Sequence, residues 1–368
     1  MALMPPILSS ILALVLLTVS GCVYAQEQKV LQIYNWADYI EESLLDKFES
    51  ETGIQVVYNM YESDEMLDAK LLAGYTGYDI IGMADMTIQN MLPLSLFQPL
   101  NRDQLPNWKD LDPELMQRMA YSDPGNRFWA PYFWGSTGVA YNVDMIRERL
   151  PGAPVDSSAM LLDPEVIKHF ADCGVAFLDD AGTVMRITLL YLGYDINDTS
   201  EEAFEAVERQ LKSVRPYIRY FESNRVAIDL PAGEVCLTMA WNGDYASGLK
   251  NAADENLDVN LAYSVPKEGT NLWVDGWIIM ADAPNPDYAH QFLNFLLEPE
   301  VIAVMSNEQR YPNAVLASRP LLIPEVIDDP AVTHPPEVMR RVHQRNAYDL
   351  YERRRVNRIW ARVKAGFD

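Results

Sequence analysis

Three tryptophan–aspartate pairs are the residues in this sequence best placed to do chemistry: Trp36/Asp38, Trp241/Asp244 and Trp273/Asp275. An aromatic face attracts a cation through its ring quadrupole, and a nearby carboxylate accepts hydrogen bonds from the cation's N–H groups. With 53 acidic residues among 368, roughly three of the eight tryptophans should have an acid within the next three positions by composition alone. Four do, the fourth being Trp108/Asp110, so the spacing by itself carries no weight. Position carries some, because each of the three pairs lies on or just after a run that reads as a strand. Ligands bind at strand ends in open α/β sheets. The first pair also has a purely structural reading, in which Trp36 fills a core and Asp38 caps a helix.

Enzyme signatures do not accompany these pairs. The sequence has no G-x-S-x-G, H-E-x-x-H, G-x-G-x-x-G or P-loop pattern. Its four histidines, His169, His290, His334 and His343, fall in amphipathic or proline-rich contexts that read as surface or core edge. Cys173 has only His169 at ligand spacing and Cys236 has no partner nearby, so neither a metal site nor a cofactor is expected. A binding protein is the leading class. An exported enzyme acting on amines or sugars is the weaker one, since no two carboxylates can be assigned acid and base roles.

The elements that must position the pairs follow from periodicity. Val30–Tyr34 alternates as a strand, and Leu44, Leu45 and Phe48 recur at helix spacing up to Gly53. Ile54–Tyr58 is a second strand, Glu65–Ala73 a helix capped by Ser63, and Tyr78–Gly82 a third strand. This alternation predicts a mostly parallel sheet covered by helices. Phe128–Asn142, aromatic-rich and broken by Pro131 and Gly135, reads as a crossing between lobes. Further on, Val175–Leu178, Ile218–Phe221, Val235–Ala240, Leu261–Pro266 and Leu272–Met280 read as strands. Glu201–Ser213 and Ala289–Leu297 read as helices, and the arginine-rich C-terminus as the polar face of a helix carrying Trp360 and Val363.

Net charge is −24, which disfavours nucleic acid and anionic membranes as partners and mildly favours cationic ones. Residues 1–25 read as a targeting segment: Ile7–Ser20 is apolar but short for a membrane span. Val19-Ser20-Gly21-Cys22 resembles a lipoprotein signal, and cleavage after Val23-Tyr24-Ala25 is the competing reading. Both place the protein outside the cytoplasm. Three cysteines in an exported chain need an explanation; lipidation of Cys22 leaves an even pair, which predicts a Cys173–Cys236 disulfide.

From about Val30 onward the chain resembles the periplasmic polyamine-binding proteins of ABC importers, the spermidine- and putrescine-binding receptors. The resemblance is carried by LQIYNWADYI, KLLAGYTGYDI, FQPLNRDQLPNW, PYFWGSTGVAYN, CGVAFLDD and GEVCLTMAWNGDYASG, among other phrases in the same order. It implies a type II periplasmic-binding fold of two α/β lobes with a hinge and a central cleft. The implied lobes are residues 27–137 with 258–307, and residues 138–257 with 308–368. It also implies the Cys173–Cys236 bridge, a polyamine ligand, an inner-membrane permease as partner and a monomer, free or anchored through Cys22. The site residues carried over are Trp36, Asp38, Tyr39, Asp180, Thr183, Ser223, Trp241, Asp244, Trp273, Asp275 and Tyr311. Three of the family's contact positions differ: Thr183 stands where the family has a glutamate, Ala84 where it has a serine, and Met86 where it has serine or tyrosine. Asp85 replaces the lost charge only if its side chain turns inward. Agmatine or another cationic amine, and a sensor rather than a transport receptor, are the alternative functions.

Overall fold

The computed structural model describes residues 29–37 and 39–366; the targeting segment, Cys22 and Asp38 lie outside them. Strands β1 (Val30–Trp36), β2 (Gln55–Tyr61) and β3 (Ile80–Ala84) alternate with helices Glu42–Thr52 and Asp64–Leu72. β1 pairs in parallel with β2 and β3. The first helix buries Leu44 and Phe48 and ends at Gly53, whose φ of 68° makes the left-handed cap that glycine adopts freely. Ser63 caps the second helix by accepting from the Met66 N–H at 3.3 Å.

Two long strands carry the chain between halves of the molecule. β4 (Trp129–Asn142) is one continuous strand rather than an interrupted segment, with Pro131 accommodated at a register irregularity between Pro131 and Trp134. After it come β5 (Val175–Phe177), β6 (Tyr220–Phe221), β7 (Leu237–Trp241), β8 (Leu261–Ser264), β9 (Thr270–Ile279) and β10 (Val342–His343). The strand order is β2-β1-β3-β9-β4-β7-β5-β6, with β8 on β4 and β10 on β9. β9 lies antiparallel to β3 and to the first half of β4, whereas Thr137–Tyr141 of β4 pair antiparallel with β7.

Each half has its own core. Leu31, Ile33, Ile80, Ile81, Trp277 and Phe292 anchor the first; Val175, Phe177, Val184, Phe204, Leu211 and Val363 anchor the second. A smaller cluster under β4 and β7 holds Ala140, Ala240, Val226, Tyr245, Leu261 and Val332. Tyr311, Ala314, Val315 and Val342 pack in the first core. The basic C-terminal helix spans Leu350–Ala365, buries Val356, Ile359, Trp360 and Val363, and opens on a capping box of Asp349 and Glu352.

Cys173 and Cys236 are bridged, with Cα atoms 5.6 Å apart, tying the approach to β5 to the approach to β7. Two histidines are more enclosed than their sequence context suggests. His290 Nε2 accepts from the Asn101 N–H at 2.9 Å, and His334 Nε2 lies 2.6 Å from the buried Ser136 Oγ. Both are therefore internal hydrogen-bonding groups. Among the described residues, no helix is long and apolar enough to cross a membrane.

Candidate functional site

β1 delivers Trp36 to its carboxyl end, and the turn that follows delivers Tyr39. The Tyr39 ring stands 5.2 Å from Trp36, edge-on, and 5.4 Å from Phe133 at 90°. Its hydroxyl donates to Asp275 Oδ2 at 2.6 Å. Asp275 sits on β9 directly opposite Ala84 at the end of β3, so a short register places the acid beside the β1 turn. Burial, and then the Asp275 charge, hold the Tyr39 hydroxyl well above the ordinary tyrosine range, which keeps it a donor.

A second carboxylate approaches from the other half. Trp241 ends β7 and is partly buried against both the first and the second core. Asp244 follows in the first turn of the Asn242–Asp254 helix. The Tyr311 hydroxyl donates to Asp244 Oδ1 at 2.8 Å; Oδ2 is shielded from solvent and accepts no hydrogen bond from any described residue. Burial raises this carboxyl from 3.8 to about 7, against the downward pull of the Tyr311 hydrogen bond.

Tyr311 links the two carboxylate clusters. Its ring lies 5.2 Å from Trp273 at 85° and 6.5 Å from Tyr39. Two glycines allow this closeness: a Cβ on Gly243 would overlap the Tyr311 ring, and one on Gly135 would overlap Trp273 and Asn242. The Trp273 Nε1–H is buried without an acceptor among the described residues. Trp36, Tyr39, Trp273, Asp275, Tyr311 and Asp244 thus form one connected assembly, with Trp241 at its edge. Each carboxylate accepts from a phenol, and Asp244 Oδ2 is left for a further N–H donor. Aromatic faces with two such acids suit an organic cation.

A neighbouring group forms at the carboxyl ends of β5 and β6. Asp180 caps the Ala181–Tyr191 helix, its Oδ1 accepting from the Thr183 N–H at 3.0 Å. Ser223 Oγ accepts from the Asp179 N–H at 3.1 Å, so it supports the backbone beside Asp180. Asp38 lies outside the described residues. Thr183 is fully buried, and its hydroxyl oxygen accepts from Arg345 Nη1 at 3.2 Å.

Arg345 is the residue that sequence reasoning misses. Its guanidinium donates from Nη2 to Asp85 Oδ1 at 2.9 Å and from Nε to Oδ2 at 3.5 Å. Asp85 is therefore enclosed as its position allows, yet its charge is already taken by an internal cation. The stretch RVHQRNAYD has no helix or strand period to announce this. The backbone is held by long-range bonds instead: Gln89 Nε2 donates to the Arg345 carbonyl at 3.0 Å, and the Asn346 N–H donates to Asn197 Oδ1 at 2.7 Å.

This architecture, two α/β cores joined by crossing strands with an aromatic and acidic cluster between them, is that of the type II periplasmic-binding proteins. The chain belongs to the bacterial extracellular solute-binding protein family, whose match covers residues 43–334. It is 41% identical over 362 residues to the putrescine-binding periplasmic protein PotF of Escherichia coli K12, covering 98% of each chain. It is 37% identical to a putrescine/agmatine-binding protein of Pseudomonas aeruginosa PAO1, covering 96% of this chain and 98% of that one. The solved spermidine/putrescine ABC transporter substrate-binding protein PotD of Streptococcus pneumoniae superposes with a TM-score of 0.77 at 28% identity, covering 92% of this chain and 99% of that one.

Proposed function

We propose that this protein is a polyamine receptor of an ABC importer. It captures a linear diamine or triamine of the putrescine and spermidine type between two lobes and hands it to an inner-membrane permease. In this reading the lobes are residues 27–137 with 258–307 and residues 138–257 with 308–368, except that Tyr311, Ala314, Val315 and Val342 of the last stretch pack in the first core. The observation that carries the reading is Asp244: a carboxylate with one enclosed, unbonded oxygen, set among Tyr311, Trp273 and Trp241 and facing a second acid held by Tyr39. A desolvated carboxylate in an aromatic box gains most from an ammonium, which brings both the opposite charge and three N–H donors.

In this reading Asp275 and Asp244 pair with the ammonium groups, joined by Asp38 from the β1 turn. Trp36, Tyr39, Trp241, Trp273 and Tyr311 cover the methylene chain, and Asp180, Thr183 and Ser223 close the far wall. Closure on ligand is the output, read by the permease, and no turnover is part of it. The relatives named as periplasmic support a periplasmic location; in this reading the receptor works as a monomer, free or anchored through Cys22. A guanidino-amine is the second reading, favoured by the relative named for putrescine and agmatine.

Calorimetric titration of the mature chain, from Glu27, tests both readings with putrescine, spermidine, spermine, cadaverine and agmatine. A one-to-one, saturable heat with at least one of them is expected. No heat with any of the five overturns the ligand class.

A further inference from the structure

We propose that His334 is a positioning residue for the clamp formed by Asp275 and Asp244: it pins β4 at Ser136, where that strand passes from one half of the molecule to the other, and through Asn242 it fixes where Asp244 stands. The effect on ligand affinity rests on the polyamine reading above, whereas the effect on β4 does not.

β4 pairs with β9 as far as Ser136, opposite Leu272, and with β7 from Thr137, opposite Trp241. Ser136 is therefore the residue at which the strand exchanges one half's neighbours for the other's, and lobes that close on a ligand bend at such a crossing. Its side chain is fully buried and held from two sides: Oγ lies 2.6 Å from His334 Nε2 and 2.9 Å from the Tyr263 hydroxyl of β8. The backbone is held as well. The Ser136 N–H donates to Asn242 Oδ1 at 3.2 Å, and the Ser136 carbonyl accepts from the Tyr263 hydroxyl at 3.1 Å. Asn242 Nδ2 in turn donates to the Val332 carbonyl at 3.2 Å. The segment 330–334 thus grips the crossing point twice, directly through His334 and indirectly through Asn242. Asn242 is fully buried and opens the helix on which Asp244 stands two positions later, so a shift of Ser136 is carried to the clamp.

The grip depends on which ring nitrogen carries the hydrogen. His334 Nδ1 lies 3.0 Å from the Pro330 carbonyl, which can only accept, so Nδ1 is the protonated nitrogen and Nε2 accepts from the Ser136 hydroxyl. Tyr263 then donates to Ser136. A serine this close to an imidazole has the spacing of a nucleophile and its base, but Ser136 is 0% exposed and no substrate reaches it. Around the ring, Trp134 stands edge-on at 6.1 Å, Arg341 is the charged group that acts on it, and Tyr263 is the titratable one, with Asp244 beyond it. Burial, helped by the Arg341 charge, holds the imidazole below the ordinary histidine range against the pull of the Pro330 carbonyl. Protonation turns Nε2 into a donor, makes the Ser136 hydroxyl turn away and leaves a second positive charge near Arg341. The neutral ring is the form that grips, and acid weakens it.

Amide hydrogen exchange of the ligand-free chain and calorimetry with putrescine, on the wild type, His334→Ala and His334→Gln, read the two effects separately. In His334→Ala the amides of residues 134–142 and of the helical turn after Asn242 should exchange at least about tenfold faster, with those of β1 and β2 unchanged within about twofold. Putrescine affinity should fall at least about tenfold. Glutamine presents an acceptor near the place of Nε2, so His334→Gln should stay within about threefold of the wild type in both readouts. Glutamine does not titrate. As pH falls from about 7 to about 5.5 the wild type should therefore lose melting temperature relative to His334→Gln, because the unfolded chain takes up a proton that the folded one resists. The Asp244 shift has the opposite sign, is common to both chains and cancels in the comparison. Should His334→Ala not fold, Ser136→Ala removes the same bond with a smaller change and must show the same local exchange pattern. Exchange that is unchanged, or raised equally in both halves, overturns the inference, as does a local rise with unchanged putrescine affinity. A wild type that binds no amine overturns the polyamine reading instead, and the exchange pattern then still decides whether His334 holds β4.

Discussion

The Tyr311 hydroxyl donates to Asp244 Oδ1 at 2.8 Å, while Oδ2 of the same carboxylate is enclosed without a hydrogen bond from any described residue. One half-satisfied acid joins the first core to the smaller cluster under β4 and β7, because Tyr311 packs in the first and the helix that Asp244 opens packs through Tyr245 and Ala246 in the other. The cost of this arrangement is carried by the proton: burial lifts the carboxyl from 3.8 to about 7.

That shift gives a pH prediction with a definite sign. Between pH 4 and 7 the folded, ligand-free protein holds a proton at Asp244 that the unfolded chain has released, so its stability should fall as pH rises through this window and level off above it. A cationic ligand needs the ionised acid. Putrescine affinity should therefore weaken by up to about tenfold per unit as pH falls below about 7, and binding near pH 6 should release protons. Calorimetry in buffers of different ionisation heat measures the release. Asp244→Asn should abolish it; equal proton release in that variant would assign the titration elsewhere.

Asp275 and Tyr39 should contribute unequally to ligand affinity. Removing the charge from a buried, hydrogen-bonded pair costs about 2–5 kcal/mol, so Asp275→Asn should weaken putrescine at least about thirtyfold. Tyr39→Phe removes one neutral donor from the carboxylate, at about 1 kcal/mol, and should cost about fivefold. If Asp275→Asn binds as the wild type does, the clamp is misassigned.

The Gly243 position offers a purely steric test. A Cβ there would overlap the Tyr311 ring, so Gly243→Ala must push the phenol away from Asp244. Melting temperature should drop by only a few degrees, since the helix itself favours alanine over glycine. Ligand affinity should fall at least about tenfold, because both the aromatic wall and the carboxylate's orientation are lost. A variant with unchanged affinity would show that Tyr311 does not shape the site.

What was legible in the sequence was periodic or short-range. β1 is visible as an apolar alternation and β3 and β9 as apolar runs; the end of β1 places Trp36, and β9 itself carries Trp273 and Asp275. Asp244 was visible through Trp241 at the close of β7. The C-terminal helix was visible because Trp360 and Val363 lie opposite an arginine-rich polar face, and the structure adds Val356 and Ile359 to its buried side. Arg345 was not, since its partners Asp85 and Thr183 lie 260 and 162 positions away and no local rule joins them. Asp85 could be flagged as a nearby charge, but only tertiary structure reveals that the charge is already neutralised. Likewise, Pro131 looked like a break in an extended run, and the register irregularity that absorbs it depends on β9 rather than on the residues of β4.

Reduction of the Cys173–Cys236 bridge should cost about 2–4 kcal/mol, as expected for a closed span of 63 positions. The bridge ties β5 to β7 in the second core, away from Asp275. A Cys173→Ala/Cys236→Ala variant should melt at a lower temperature yet keep its putrescine affinity within about threefold at 25 °C. Loss of binding without loss of stability would contradict this division.

A second ion pair also spans the two halves, and its setting predicts a weaker role. Arg353, on the C-terminal helix that packs in the second core, approaches Asp68 at 3.0 Å; Asp68 lies on the Asp64–Leu72 helix, which packs through Leu67 and Leu71 in the first. The Arg353 side chain is 38% exposed and that of Asp68 20%, against 9% for each partner in the Arg345–Asp85 pair. Solvent screens the former, so it contributes about 0–1 kcal/mol to the contact between the two halves, whereas breaking the buried pair from one side costs about 3–5 kcal/mol. Arg353→Ala should therefore change putrescine affinity less than about fivefold, and the effect should vanish at high salt. Arg345→Ala should lower the melting temperature of the ligand-free protein by far more, at any salt concentration. Comparable effects in the two variants would mean that burial does not distinguish these interlobe contacts.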